Sequence, residues 1–177
     1  MNTNPESLCS MQIQTIDLDG QTLRVATWRG SDASPPLLIF NGIGANLELV
    51  EPFVTALEDV SVIIFDVPGV GGSPAPVVPY RFSTLSVLTD KLLTRLGYAG
   101  AVDVLGVSWG GALAQQFAHL YPGRCRRLIL AATSPGVIMV PGKLSVLSKL
   151  IGPRRYTDPT YLQQVGAEIY EIGRAHV

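Results

Sequence analysis

The sequence predicts an α/β fold, in which a mostly parallel sheet carries helices on both faces. Three observations predict it. Short apolar runs alternate along the chain with longer segments of helical periodicity. The runs Leu37–Phe40 and Val62–Phe65 are apolar at every position, as expected of strands buried on both faces. The composition, 47% hydrophobic and only 15% charged over 177 residues, suits a chain with a large interior.

The first elements predict a hairpin followed by a buried strand. Met11–Asp17 and Thr22–Trp28 form the hairpin, and the Asp-Gly pair between them supplies turn chemistry. Leu37–Phe40 is the next strand, bounded by Pro36 and Gly42. Asn46 is expected to cap a helix that runs to about Leu57.

The following elements alternate strand and helix. We expect strands over Val62–Phe65, Val102–Gly106 and Leu128–Ala132. Between them we expect helices over Ser83–Leu96 and Gly110–Tyr121. Ser83 is expected to cap its helix, whose leucines recur on one face.

The chain is expected to change character after Thr133. Prolines interrupt short helical pieces there, and no further buried strand is predicted. We therefore expect residues 1–133 to form the core, truncated after its sixth strand, and residues 134–170 to begin an inserted cap. We read residues 171–177, EIGRAHV, as the translation of a widely used sequencing-adapter string, and predict that this tail is not native.

Charge and cysteine usage exclude several classes of protein. The net charge is −1 and the basic residues are scattered, so we expect no nucleic acid partner. No apolar stretch is long enough to predict a membrane span, and no secretory signal is visible. Cys9 and Cys125 do not form a paired motif, and two free thiols favour a soluble cytoplasmic protein.

The motif Gly106-Val107-Ser108-Trp109-Gly110 fits G-x-S-x-G. It follows a predicted strand and precedes a predicted helix, which is the context of a nucleophile elbow in the α/β-hydrolase fold. Glycines flank the serine because this sharp turn leaves no space for side chains. We expect Ser108 to be a catalytic nucleophile, with the backbone N–H of Trp109 as an oxyanion donor.

A second oxyanion donor is expected in Asn41-Gly42-Ile43-Gly44, and we assign it to the backbone N–H of Ile43. Gly42-Ile43-Gly44 could also begin a dinucleotide-binding fingerprint, but Leu47 stands where the third glycine belongs. Asp66 precedes the serine, whereas the triad acid of this fold follows it, so we expect Asp66 to fix loops through backbone N–H groups. His119 lies eleven residues after Ser108 and is expected to have a structural role.

Seven segments carry a more specific resemblance: LLIFNGIGANLELVEPF, FDVPGVGGS, PYRF, VLGVSWGGALAQQFAHLYPGRC, LAAT, MVPGK and PRRY. Together they resemble the intracellular medium-chain poly(3-hydroxyalkanoate) depolymerases, over about two thirds of the chain. The resemblance implies hydrolysis of 3-hydroxyacyl esters in a storage polyester held in granules, with the nucleophile at Ser108. It implies no metal or organic cofactor, and it puts the family's acid and histidine beyond residue 177.

Alternatives remain open. If His176 were the base, Asp158 or Glu168 would have to be the acid, although neither has a predicted strand to carry it. A carbon–carbon bond hydrolase or a lactonase of the same fold is a second hypothesis, and a non-catalytic binding module is a third. For the polyester, Val137–Val140 could line the acyl cleft. The 177 residues alone are expected to be inactive.

Overall fold

The computed structural model describes residues 11–30, 34–57, 59–76 and 78–134, together with positions 148, 149, 154, 158, 160, 161, 164 and 165. The chain divides into two compact units, Met1–Val137 and Ile138–Val177. The described part of the first unit contains one six-stranded sheet. Its strands are β1 (Gln12–Leu18), β2 (Gln21–Trp28), β3 (Leu37–Phe40), β4 (Val62–Phe65), β5 (Val102–Val107) and β6 (Cys125–Ala131), in the spatial order β1-β2-β4-β3-β5-β6.

The hairpin of β1 and β2 is antiparallel and turns at Asp19 and Gly20. Both residues have positive φ, 56° and 88°, as a two-residue hairpin turn requires. The carboxylate of Asp17 accepts the Gly20 N–H at 3.1 Å. The predicted hairpin is confirmed, with each strand one residue closer to the turn than expected.

The centre of the sheet is parallel. β3 pairs with β4 on one side and with β5 on the other, and β5 pairs with β6. Because β3 and β5 are adjacent parallel strands, their carboxyl ends meet at one edge of the sheet, which is where α/β proteins build binding sites.

Helices cover both faces, as predicted. On one face, α2 (Phe82–Arg95) and α3 (Trp109–Leu120) bury Leu92, Leu113 and Phe117 against the sheet. On the other face, a 3₁₀ helix (Leu47–Val50) and α1 (Glu51–Thr55) bury Leu47 and Val54. These two apolar layers hold the carboxyl ends of β3 and β5 in place.

Two predicted side-chain caps do not form, although Asn46 is the N-cap residue of its helix, as expected. The Asn46 side chain makes no capping bond, and the expected helix is 3₁₀ before it becomes α. Pro52 has no N–H to donate to the carbonyl of Glu48, which explains the short, broken helix. Helix α2 begins at Phe82, not after a Ser83 cap, and its N-cap residue Arg81 makes no side-chain bond.

Strand β6 begins three residues earlier than predicted, at Cys125. A register shift between Val102 and Asp103 accommodates an additional residue in β6. Arg126 then donates to both carboxylate oxygens of Asp103, at 2.8 and 2.6 Å. The ion pair with Asp103 therefore explains why β6 begins with a charged segment, and local sequence patterns do not reveal that pair.

Few positions of the second unit are described. The guanidinium of Arg154 lies 5.0 Å from the centre of the Tyr161 ring. Asp158 accepts bonds from the N–H and the hydroxyl of Thr160, at 3.0 and 2.8 Å. Those bonds, together with Arg154, lower the pKa of Asp158. This carboxylate therefore shapes a local turn.

Candidate active site

Ser108 lies at the turn between β5 and α3 and has a strained backbone. Its φ is 53° and its ψ is −117°, a conformation that residues with a Cβ rarely adopt. Two hydrogen bonds hold it: the Ser108 N–H donates to the carbonyl of Ala131, and the Gly111 N–H donates to the carbonyl of Ser108, both at 2.9 Å. The side chain is exposed. The turn thus projects a hydroxyl outward at the carboxyl end of β5.

Glycines around Ser108 allow three backbone segments to meet. A Cβ at Gly106 would lie 2.6 Å from Ala114 and from the backbone of α3, and one at Gly110 would lie 2.2 Å from the carbonyl oxygen of Phe40. The prediction that the flanking glycines are required is confirmed. Gly111 was not predicted, and a Cβ there would lie 2.5 Å from Thr133.

The segment from Asn41 to Asn46, called the 41–46 loop, lies against this turn. A Cβ at Gly42 would lie 3.9 Å from the Cβ of Ser108. The loop is closed on itself, because the Asn41 side-chain amide donates to the carbonyl of Asn46 at 2.8 Å and the Ala45 N–H donates to the carbonyl of Gly42 at 3.1 Å. Ile43 therefore belongs to a closed loop, and the residue before it, Gly42, lies beside Ser108.

The amino end of α3 adds a favourable electrostatic environment. Ser108 is the N-cap residue of this twelve-residue helix, and Trp109 is its first residue. The first N–H groups of a helix have no intrahelical acceptor, and the helix dipole is positive at this end. Negative charge that develops near Ser108 is stabilised by this arrangement.

An apolar pocket of about 480 Å³ opens beside the turn. Its volume falls within the range of small-molecule sites. The Phe82 and Trp109 rings, whose centres are 5.1 Å apart, form part of its wall. Burial raises the pKa of the Tyr80 hydroxyl, which also lines the pocket. The wall is completed by Gly42, Ile43, Gly44, Val67, Val70 and Arg81.

Sequence reasoning did not predict Tyr80 and Phe82 as pocket residues. The segment Pro79–Phe82 contributed to the family resemblance, but nothing in its local pattern shows that Tyr80 lines the pocket or that the Phe82 ring contacts Trp109. Val137–Val140, the predicted lining, lie outside the described residues, as do Cys9, Glu168 and His176.

Three other residues considered in the sequence, Asp66, His119 and Cys125, lie outside the serine turn. Asp66 accepts the N–H groups of Leu47 and Gly72 at 2.8 and 2.9 Å, which confirms that it fixes loops. His119 is exposed on α3. Cys125 is a free thiol whose pKa is raised by burial and by Asp103.

Among the described residues, no group of three or more His, Cys, Asp or Glu side chains is arranged to hold a metal ion. Among the described helices, none has both the length and the apolar character needed to cross a membrane.

Similarity to known proteins defines the class. The profile of the α/β hydrolase fold matches residues 35–171. The strand order, the serine turn and the helices on both faces agree with this match. The chain belongs to the α/β hydrolase fold family.

The chain is also similar to individual proteins of known name. The chain is 57% identical over 161 residues to a poly(3-hydroxyalkanoate) depolymerase of Ectopseudomonas oleovorans, a match that covers 90% of this chain and 56% of the relative. It is 32% identical over 121 residues to 3-oxoadipate enol-lactonase 2 of Acinetobacter baylyi, covering 68% of this chain and 45% of that one. The chain thus spans about half the length of these relatives. The predicted resemblance to the depolymerases is confirmed.

A solved structure agrees with the fold. A hydrolase from Pseudomonas aeruginosa superposes with a TM-score of 0.67 at 27% identity, covering 85% of this chain and 58% of that one.

Proposed function

We propose that the protein is a serine ester hydrolase with Ser108 as its nucleophile. The observation that carries the proposal is the strained Ser108 backbone, which projects an exposed hydroxyl between the start of α3 and the 41–46 loop. Strain of this kind persists where the surroundings hold it, and it concentrates at active sites.

The proposed mechanism assigns a role to each of three residues at this turn. The Ser108 hydroxyl attacks the acyl carbon, and the backbone N–H groups of Trp109 and Ile43 stabilise the oxyanion of the tetrahedral intermediate. Collapse of that intermediate expels the alcohol and leaves an acyl-enzyme, which water hydrolyses. A serine hydroxyl needs a general base. We propose that a histidine and its orienting carboxylate follow Ser108 in chain order, as in other members of this fold.

We propose a polyester of 3-hydroxyacyl units as the substrate. The 57% identity to a poly(3-hydroxyalkanoate) depolymerase supports this choice. So does the pocket beside Ser108, whose apolar wall of Val67, Val70, Phe82 and Trp109 suits an alkyl side chain. On this proposal the protein acts at the surface of polymer granules in the cytoplasm.

The experiment uses the full-length gene product and a colloid of medium-chain polyester. We expect release of 3-hydroxyoctanoate by the natural protein, and loss of release by at least about a thousandfold in Ser108→Ala. Circular dichroism of the variant provides the folding control. A well-folded Ser108→Ala protein that retained more than about one percent of the activity would exclude Ser108 as the nucleophile.

A lactonase is the second candidate, because the chain also matches an enol-lactonase at 32% identity. The same preparation distinguishes the two. Turnover of a lactone without release from the polyester would favour the lactonase. Failure to hydrolyse any ester, together with failure of a fluorophosphonate to label Ser108, would favour a non-catalytic binding protein.

A further inference from the structure

A network of charged and polar side chains joins the 41–46 loop to the loop that follows β4. Asp66 follows β4 directly, and its carboxylate is fully buried. One carboxylate oxygen accepts the Leu47 N–H at 2.8 Å, and the other accepts the Gly72 N–H at 2.9 Å. A single carboxylate therefore holds two segments: the residue that follows the 41–46 loop, and the glycine-rich loop (residues 67–73) that contributes to the pocket wall.

Arg24 on β2 connects this carboxylate to a second one. Its Nη1 donates to Asp66 at 3.3 Å, and its Nη2 donates to Oε1 of Glu48. Glu48 is the second residue of the 3₁₀ helix that follows the 41–46 loop. The contact raises the pKa of Arg24 and lowers that of Glu48, so both groups are held in their charged forms.

Ser73 links the same network to the backbone. Its buried hydroxyl accepts the Arg24 N–H at 2.9 Å and donates to the carbonyl of Asp66 at 2.6 Å. The Asp66 N–H donates in turn to the carbonyl of Arg24 at 2.9 Å. The alignment of β2 with the end of β4 is thus fixed by side-chain and backbone bonds together.

The glycine-rich loop packs tightly on these groups. A Cβ at Gly71 would lie 2.2 Å from the Asp66 carboxylate, and one at Gly72 would lie 2.3 Å from the Cδ of Arg24. Two charged side chains therefore set where this loop can lie, and the loop contributes Val70 to the pocket.

We infer that Arg24 and Asp66 are positioning residues for catalysis, an inference that rests on the proposed function. They act through the N–H groups of Leu47 and Gly72, and they hold the 41–46 loop at the distance from Ser108 that the oxyanion requires. A lysine has one compact charge and cannot bridge two carboxylates as the guanidinium does. A displacement of about 1 Å can lower turnover by about a hundredfold.

The test compares Arg24→Met, Arg24→Lys and Arg126→Met in the full-length gene product. Arg126→Met is the matched control, since it breaks an arginine–aspartate pair with Asp103 outside the site. Turnover of p-nitrophenyl acetate and octanoate is measured per active site, titrated with a fluorophosphonate, so that unfolded protein does not count.

We expect Arg24→Met to lower kcat by about 10- to 100-fold for both esters, with KM changed less than about threefold. Arg24→Lys should restore part of that loss, and Arg126→Met should leave kcat unchanged. Unchanged kcat per titrated site in both Arg24 variants would overturn the inference while leaving Ser108 as the nucleophile. Persistent activity in Ser108→Ala would instead overturn the proposed function.

Discussion

The contact between Gly110 and the end of β3 predicts a defined cost for one added methyl group. In Gly110→Ala the new Cβ would lie 2.2 Å from the carbonyl oxygen of Phe40 and 2.4 Å from that of Asn41. An ordinary carbon–oxygen contact is about 3.3 Å or more, so α3 and β3 must separate by about 1 Å. The neighbours are backbone atoms, and no side chain can rotate away.

Overpacking of this kind costs about 3 kcal/mol at the upper end of its usual range. In a domain of 150–250 residues that loss lowers Tm by about 6–12 °C. The displaced segment begins the 41–46 loop, so kcat should fall by about a hundredfold as well. Alanine has a higher helix propensity than glycine, so helix propensity alone would stabilise Gly110→Ala. A loss of stability in this variant would therefore report the clash.

The assay pairs thermal unfolding with turnover of p-nitrophenyl octanoate by the full-length gene product. Gly123→Ala is the matched control, because a Cβ there would meet nothing within 4 Å. Its Tm and kcat should match those of the natural protein. If Gly110→Ala stayed within about 2 °C in Tm and threefold in kcat, the close packing of α3 on β3 would be refuted.

Two further predictions concern the surface pair and the pocket. Arg126 holds the pKa of Asp103 below its ordinary value, so this pair stabilises the fold above about pH 3.9 and its contribution is lost as pH falls through the lowered pKa. Asp103→Asn should therefore lower Tm at pH 7, with the difference from the natural protein shrinking below pH 4; a gap that stayed constant down to pH 2 would contradict this. Phe82→Ala removes part of the pocket wall next to Trp109. It should lower kcat/KM for the octanoate ester about tenfold relative to the acetate ester, and an unchanged ratio would show that the acyl chain lies elsewhere.

Local sequence patterns predict much of the sheet and the serine turn. β3 and β4 are continuous apolar runs, and their bounds were predicted to the residue. The elbow glycines were predicted because their requirement is local: Gly106 and Gly110 flank the serine that they serve. Asp66 was predicted to fix loops because it precedes the serine in chain order, whereas the triad acid of this fold follows it.

Long-range contacts could not be predicted in the same way. Arg24 and Asp66 are 42 residues apart and become partners only when β2 pairs with β4. Phe82, the first residue of α2, contacts Trp109, the first residue of α3. The periodicity of a helix predicts its buried face but not where its first residue lies in the fold. The early start of β6 depends on Asp103, 23 residues before Arg126. The assignments of Ser108, Trp109 and Ile43 to catalytic roles remain predictions.

The measurement that tests the central claim most directly is covalent trapping of the nucleophile. The full-length gene product is treated with a fluorophosphonate, digested and analysed by mass spectrometry, with Ser108→Ala as the control. We predict one stoichiometric adduct on the peptide that contains Ser108, with loss of esterase activity in proportion to labelling. An adduct on another serine, or full activity after complete labelling of Ser108, would contradict the assignment of the elbow serine as the catalytic nucleophile.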